Sequence, residues 1–147
     1  MTDFRQLNEQ FWVSPQLRAE DIPFAAERGI TLIVNNRPEG ESSDQVPGDV
    51  LAQMAAAAGI RWLDIPVTHS GFAEGQLDRL QEALEDQQGV VLAYCRSGTR
   101  STYLWALTMA RLGKERAEVA RAAADAGYDL APIAPLLASL GKGEPEA

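Results

Sequence analysis

A single cysteine stands in the chain, and its neighbours give it a chemistry. The stretch Tyr94-Cys95-Arg96-Ser97-Gly98-Thr99-Arg100-Ser101 gathers a thiol, guanidiniums, hydroxyls and a glycine. Cysteine attacks as the thiolate, and a guanidinium offers an anion a planar fork of donors. Gly98 lets the backbone turn tightly around that anion. Before the loop, Val90-Val91-Leu92-Ala93 reads as a strand buried on both faces. After it, Ser101 to Leu112, closed by Gly113, reads as a helix apolar on nearly every side. The loop thus joins the carboxyl end of a strand to the amino end of a helix, where unpaired backbone N–H groups favour a bound anion. A helix terminus contributes at most about 2 kcal/mol toward a negative charge. Arg100 is therefore expected to supply the rest of the field that favours the thiolate of Cys95.

Composition bounds the classes of function. At 147 residues, with 46% hydrophobic and 23% charged residues, the chain suits one domain with a real core. One cysteine allows no internal disulfide, and one histidine leaves no cluster for zinc, so neither a metal nor another cofactor is expected. A net charge of -8 opposes nucleic acid and anionic membrane as partners, while a local field can still take a small anion. The first residues, Met1 to Gln6, lack the apolar core of a signal peptide, and no apolar run approaches the roughly 20 residues of a membrane span. A cytoplasmic protein is the expectation. The oligomeric state is not legible.

The elements that must position the loop follow from periodicity. Phe11-Trp12-Val13 reads as a short strand, and Asp21 as the cap of a helix from Ile22 to Arg28, with Pro23 in its first turn. Ile30 to Val34 is a β-branched strand running into Asn35-Asn36-Arg37-Pro38. Glu39 to Pro47 is polar and reads as a mobile loop. Asp49 to Ala58 reads as a helix, Ile60 to Val67 as a strand with the loop Thr68-His69-Ser70-Gly71, and Glu74 to Gln87 as an amphipathic helix. Beyond Gly113, helices are expected over Glu115 to Ala126 and Ala131 to Leu140, then a short disordered tail at 141–147. Trp12, Trp62 and Trp105 read as core, and Asp129 as a turn cap. This order implies a single α/β domain, 1–147, with a mainly parallel sheet and helices on both faces. Ligands bind such sheets at the carboxyl ends of the strands. Arg37, His69 and Cys95 each follow a strand closely and can share that edge.

Several motifs in the same order resemble a known family: Val13-Ser14-Pro15-Gln16, Asn35 to Glu41, Ile65-Pro66-Val67, Tyr94 to Ser101, Leu104-Trp105-Ala106 and Ala126-Gly127-Tyr128-Asp129. Over about Val13 to Leu137 the chain resembles the phosphatase-like domain of beta-lactamase-hydrolase-like proteins. That bacterial family has a protein-tyrosine/dual-specificity-phosphatase-like fold and is described as phosphatase or sulfur transferase. The resemblance implies Cys95 as nucleophile and Arg100 as phosphate clamp, with Ser101 bonding the thiolate. Arg96, Ser97, Gly98, Thr99 and Arg37 would surround the anion. His69 and Asp64 are the candidates for the general acid that protonates the leaving oxygen.

The sequence departs from the phosphatase pattern in ways that open a rival. Only Arg96, Ser97, Gly98 and Thr99 separate Cys95 from Arg100, one residue fewer than in phosphatases. The spacing Cys-x-x-Gly-x-Arg looks like the active loop of rhodaneses, which carry a sulfane sulfur on cysteine. Tyr94 stands where phosphatases have histidine, and Thr68 to Gly71 replace the loop that carries their aspartate. The first expectation is a phosphocysteine hydrolase acting on a small anionic or phosphorylated substrate. The second is a sulfurtransferase handing sulfur from Cys95 to an external thiol acceptor. The third is a non-catalytic module that binds an anion or senses oxidants through Cys95.

Overall fold

The strands form where the sequence is β-branched and apolar. The computed structural model describes residues 2–86 and 89–140. Five strands make one sheet: β1 (Arg5–Gln6), β2 (Phe11–Ser14), β3 (Ile30–Asn35), β4 (Arg61–Asp64) and β5 (Val90–Tyr94). Their order is β1-β2-β5-β3-β4. Only β1 runs antiparallel to its neighbour. The central strand β5 is buried over Val91 to Tyr94, as its unbroken apolar run requires.

Helices cover both faces. The helices are α1 (Asp21–Glu27), α2 (Gly48–Ala57), α3 (Glu74–Asp86), α4 (Thr99–Arg111), α5 (Arg116–Asp125) and α6 (Ala134–Leu140). On one face Ile33, Leu92 and Tyr94 pack with Ile22 and Ala25 of α1 and Leu51 and Ala55 of α2. On the other, Val13, Val34 and Ala93 pack with α3, α4, α5 and α6 through Leu80, Leu104, Val119 and Leu137. The helix α4 lies inside this second layer, buried along most of its length, which is why its sequence lacks a polar face.

Register aligns the carboxyl ends. Ser14, Tyr94, Asn35 and Asp64 stand side by side across β2, β5, β3 and β4. The residues just beyond them, Gln16, Cys95, Asn36 and Ile65, therefore share one edge, as expected for a doubly covered parallel sheet.

Several local expectations shift. The two-residue β1 carries no periodic signal and was not anticipated. Asp21 is the first residue of α1 rather than its cap, and its carboxylate instead accepts the Arg18 N–H at 2.8 Å. Pro23 falls in the first turn, as it must. The strand β4 ends at Asp64 because Pro66 has no N–H to give the ladder. Ile65 and Val67 still donate to Asn35 and Asn36 carbonyls at 2.9 and 2.8 Å. The last helix divides at Ala134, where a 3-10 turn (Ala131–Ile133) containing Pro132 gives way to α6, with Pro135 in its first turn. Asp129 caps the turn before it, accepting the Ala131 N–H at 2.9 Å. Gln87 and the tail 141–147 lie outside the described residues.

Candidate active site

Cys95 is the first residue beyond β5 and is fully buried. Gly98, with φ +91°, turns the chain into α4 and brings its own N–H to within 3.1 Å of the Cys95 sulfur. That N–H marks the inside of the ring that residues 95–100 form. The ring is pinned from two directions. The Gln16 N–H donates to the Arg96 carbonyl at 3.1 Å, and the Tyr128 hydroxyl donates to the Ser97 carbonyl at 3.0 Å. Within it, the Ser97 hydroxyl bonds Thr99 Oγ1 at 2.9 Å. The side chains of Arg96 and Ser97 lie on the exposed outer side.

Arg100 stands in the first turn of α4, five residues after Cys95. Its guanidinium donates twice to Glu41, from Nη1 to Oε2 at 2.6 Å and from Nη2 to Oε1 at 3.0 Å, and from Nη1 to the Val67 carbonyl at 2.8 Å. The same carboxylate takes Arg37 Nε at 2.8 Å. Arg37 is 5% exposed and each of its side-chain nitrogens donates once, Nη1 to Gln16 Oε1 at 2.8 Å and Nη2 to Ser42 Oγ at 3.1 Å. Arg37 therefore frames the site from inside the fold.

Glu41, which bonds both arginines, is a residue of this edge that sequence reasoning missed. The segment Glu39 to Pro47, expected to be mobile, is held in place by its own side chains. The Glu41 N–H donates to Gln45 Oε1 at 2.8 Å, Gln45 Nε2 to the Pro38 carbonyl at 2.9 Å, and the Gly48 N–H to Glu39 Oε1 at 3.0 Å. Bonding to Arg100 first, and to Arg37, holds the Glu41 carboxyl down at about 2 against its ordinary 4.5. A depressed folded-state value favours folding above the ordinary value, and that contribution fades as pH falls from 4.5 toward 2. Glu41→Gln should therefore cost on the order of 1–2 kcal/mol of stability near neutrality, allowing for partial exposure. It should also flatten the loss of stability on acidification, as urea titrations at neutral and acid pH would read.

Asn36 ties the strand ends to α4. Its Nδ2 donates to the Ile65 carbonyl at 2.8 Å, so Oδ1 is the acceptor for the Ser101 hydroxyl at 2.8 Å. Ser101 was expected to bond the thiolate. Here its one proton goes to Asn36, and the donor at the sulfur is the Gly98 backbone.

Of the two acid candidates, Asp64 faces away from the cysteine. Asp64 Oδ1 accepts from Asn35 Nδ2 at 3.1 Å and from Trp62 Nε1 at 2.9 Å. It stands in register with Asn35 and Tyr94, whose side chain packs in the α1–α2 layer. Successive side chains alternate faces, so the structure does not bring Asp64 to Cys95. His69 is exposed in the Thr68–Gly71 loop, with no hydrogen bond or ion pair among the described residues. That loop starts one residue past Val67, whose carbonyl holds Arg100. Tyr94, in the place of the phosphatase histidine, is buried against Trp62 at 6.0 Å, and burial pushes its hydroxyl well above the usual phenol range. No group of three or more potential metal ligands occurs among the described residues.

Comparisons with known proteins agree with this architecture. Residues 3–112 match the family described as beta-lactamase hydrolase-like protein, phosphatase-like domain. The beta-lactamase hydrolase-like protein of Xylella fastidiosa is 32% identical over 125 residues, which are 84% of this chain and 29% of that protein. The chain thus spans under a third of the length of that relative. Among solved structures, a presumed phosphatase of Neisseria meningitidis superposes with a TM-score of 0.83 at 31% identity, covering 92% of this chain and 96% of the other. A Cys-to-Ser form of Pseudomonas aeruginosa TpbA in complex with phosphotyrosine superposes at 0.65 with 12% identity, covering 96% and 83%, a likeness of fold alone. The fold is that of the protein tyrosine phosphatases. With the matched profile spanning most of its length and its strand-loop-helix centre in place, the chain belongs to the family of phosphatase-like domains of beta-lactamase hydrolase-like proteins.

Proposed function

We propose that the chain is a cysteine-dependent phosphatase-like hydrolase acting through a phosphocysteine. The observation that supports this best is the Gly98 N–H, 3.1 Å from the Cys95 sulfur at the carboxyl edge of β5, with Arg100 following in the first turn of α4. The Cys95 thiolate attacks phosphorus, the bond to the leaving oxygen breaks, and its electron pair stays on that oxygen, which takes a proton. Arg100 and the N–H groups of Arg96 to Arg100 bind the equatorial oxygens, where charge grows in the transition state. Water then cleaves the sulfur–phosphorus bond, returning the thiolate and inorganic phosphate. His69 is the better placed of the two acid candidates, being on the loop beside Arg100. The fold neighbour holding phosphotyrosine supports a phosphorylated substrate.

A second reading, sulfur transfer, is favoured by two observations. The ring is one residue short of the phosphatase length, and Asp64 is turned to the other face of the sheet. Transfer of a sulfane sulfur needs no general acid. The Cys95 thiolate attacks that sulfur, the donor leaves with the bonding pair, and the resulting persulfide passes its outer sulfur to an external thiol. Incubation with a small aryl phosphate, and separately with thiosulfate plus cyanide, separates the readings. Phosphate release that depends on Cys95 is expected from the first. Thiocyanate release without phosphate release would overturn it in favour of the second.

A further inference from the structure

The motif Ala126-Gly127-Tyr128-Asp129 sets a tyrosine against the loop that carries Cys95. Its hydroxyl donates to the Ser97 carbonyl at 3.0 Å. That carbonyl and the Gly98 N–H belong to one peptide group, which is trans. In a planar trans peptide the C=O and the N–H point in opposite directions. Holding the Ser97 oxygen on the outside therefore sends the Gly98 N–H inward, where it lies 3.1 Å from the Cys95 sulfur. The peptide before it is held by the Gln16 N–H on the Arg96 carbonyl at 3.1 Å, a bond between backbones. The Tyr128 bond is made by a side chain, so a substitution can remove it.

The backbone alone does not choose that orientation. Gly98 has φ +91° and ψ -7°, close to the second central position of a type II turn. Turning over the peptide in front of it gives the type I geometry, with φ at about -90°, which glycine adopts as readily. In that form the Ser97 oxygen would face the interior, and an anion would meet an acceptor where it needs a donor. Gly98 also makes room for the bond, since a Cβ there would run into the Tyr128 hydroxyl. Tyr128 is itself held. It is buried, and its N–H donates to the Ala123 carbonyl at 2.8 Å. The Arg5 guanidinium lies 5.2 Å from its ring centroid while donating to the Ala126 carbonyl at 3.1 Å. Burial pushes the Tyr128 hydroxyl above the usual phenol range, so it keeps the proton that it donates.

We propose that Tyr128 is a positioning residue: by bonding the Ser97 carbonyl it selects the orientation of the Ser97–Gly98 peptide that turns the Gly98 N–H into the ring, and Arg5, packed on the tyrosine ring, steadies it. This rests on the reading of the Cys95 loop as an anion site and holds for either reaction, because both bring an anion to the loop. Tyr128→Phe keeps the ring and its packing and removes the donor. Loss of one such bond shifts the balance between the two peptide orientations by roughly two- to tenfold. The apparent affinity for an anion then falls with the fraction of molecules that keep the N–H inward.

Amide hydrogen exchange read by NMR on the whole chain, beside calorimetric titration with sulfate, tests it without turnover. In Tyr128→Phe the Gly98 N–H is expected to exchange roughly two- to tenfold faster, while the N–H groups of Val91, Leu92 and Ala93 in β5 keep their rates. Sulfate is expected to bind more weakly, by up to roughly tenfold. Arg5→Gln frees the ring and leaves the hydroxyl. It is expected to move both readings the same way, and it decides the matter if Tyr128→Phe does not fold. An unchanged Gly98 rate in the deciding variant would overturn the proposal, as would an unchanged affinity for sulfate that the wild type does bind. A Gly98 rate that rises only in step with those of β5 would also overturn it, since a merely structural tyrosine gives that pattern. Failure of the anion-site reading shows differently, with wild type and variant both failing to bind sulfate while the Gly98 rate alone still rises.

Discussion

Cys95→Ser is expected to lower turnover by roughly a thousandfold or more while sulfate binding and the unfolding midpoint stay near wild type. The expected size follows from what is lost: the covalent path disappears, and a serine hydroxyl with no adjacent base is a poor nucleophile at neutral pH. The rest of the ring is unaffected, because the Gly98 N–H can donate to oxygen as it does to sulfur, and Arg100 keeps Glu41 and Val67. The sulfur is fully buried and in the core by area, so the isosteric replacement also guards against a cavity. Release of phosphate or thiocyanate, set beside sulfate titration of the same preparation, reads both halves. Joint loss of turnover and anion binding would mean that the variant had lost the loop, and Cys95→Ala would then separate folding from chemistry.

Gly98→Ala is expected to have the second largest effect, a loss on the order of 2–4 kcal/mol of stability together with loss of activity. At φ +91° an L side chain is strained by roughly 1–2 kcal/mol. Its Cβ would also run into the Tyr128 hydroxyl, with Cζ only 3.1 Å away. Tyr128 would have to swing out, giving up the bond from its hydroxyl to the Ser97 carbonyl that pins the ring. The steric part is separable. In Gly98→Ala/Tyr128→Phe the closest atom is absent, so part of the stability should return while activity stays low, and a double-mutant cycle by urea unfolding would show that coupling. Additive effects would mean that Tyr128 does not buttress Gly98.

The central unit of this fold was readable because its signals are long and unambiguous. The apolar run over β5 and the nearly featureless apolar α4 have only one place to go, between two layers of helices. The loop between them inherits its chemistry from that position. The candidate residues Cys95, Arg100 and Arg37 gather at one edge because β5 and β3 are neighbours in register. What escaped is what depends on distant partners. Glu41 sits 59 positions before Arg100 and looked like one more polar residue in a loop, and its neighbour in the motif, Arg37, gave no hint that one carboxylate would serve both. Tyr128 reaches Ser97 across 31 positions. Asp64 was misplaced as an acid candidate by a subtler effect. Its position near the strand end was right, but the pleat decides which face it meets, and only the register with Asn35 and Tyr94 reveals that. Ser101 likewise depends on a distant partner, its proton taken by Asn36 just beyond β3.

The most direct test is to quench the protein rapidly after mixing with an aryl phosphate, and separately with thiosulfate, and to measure the mass of the peptide carrying Cys95. A covalent increment on that peptide, one phosphoryl group in the first case, is the predicted result. A persulfide increment alone would keep Cys95 as the nucleophile and assign it sulfur transfer. An unmodified Cys95 in both experiments, with product still released, would contradict the account at its centre.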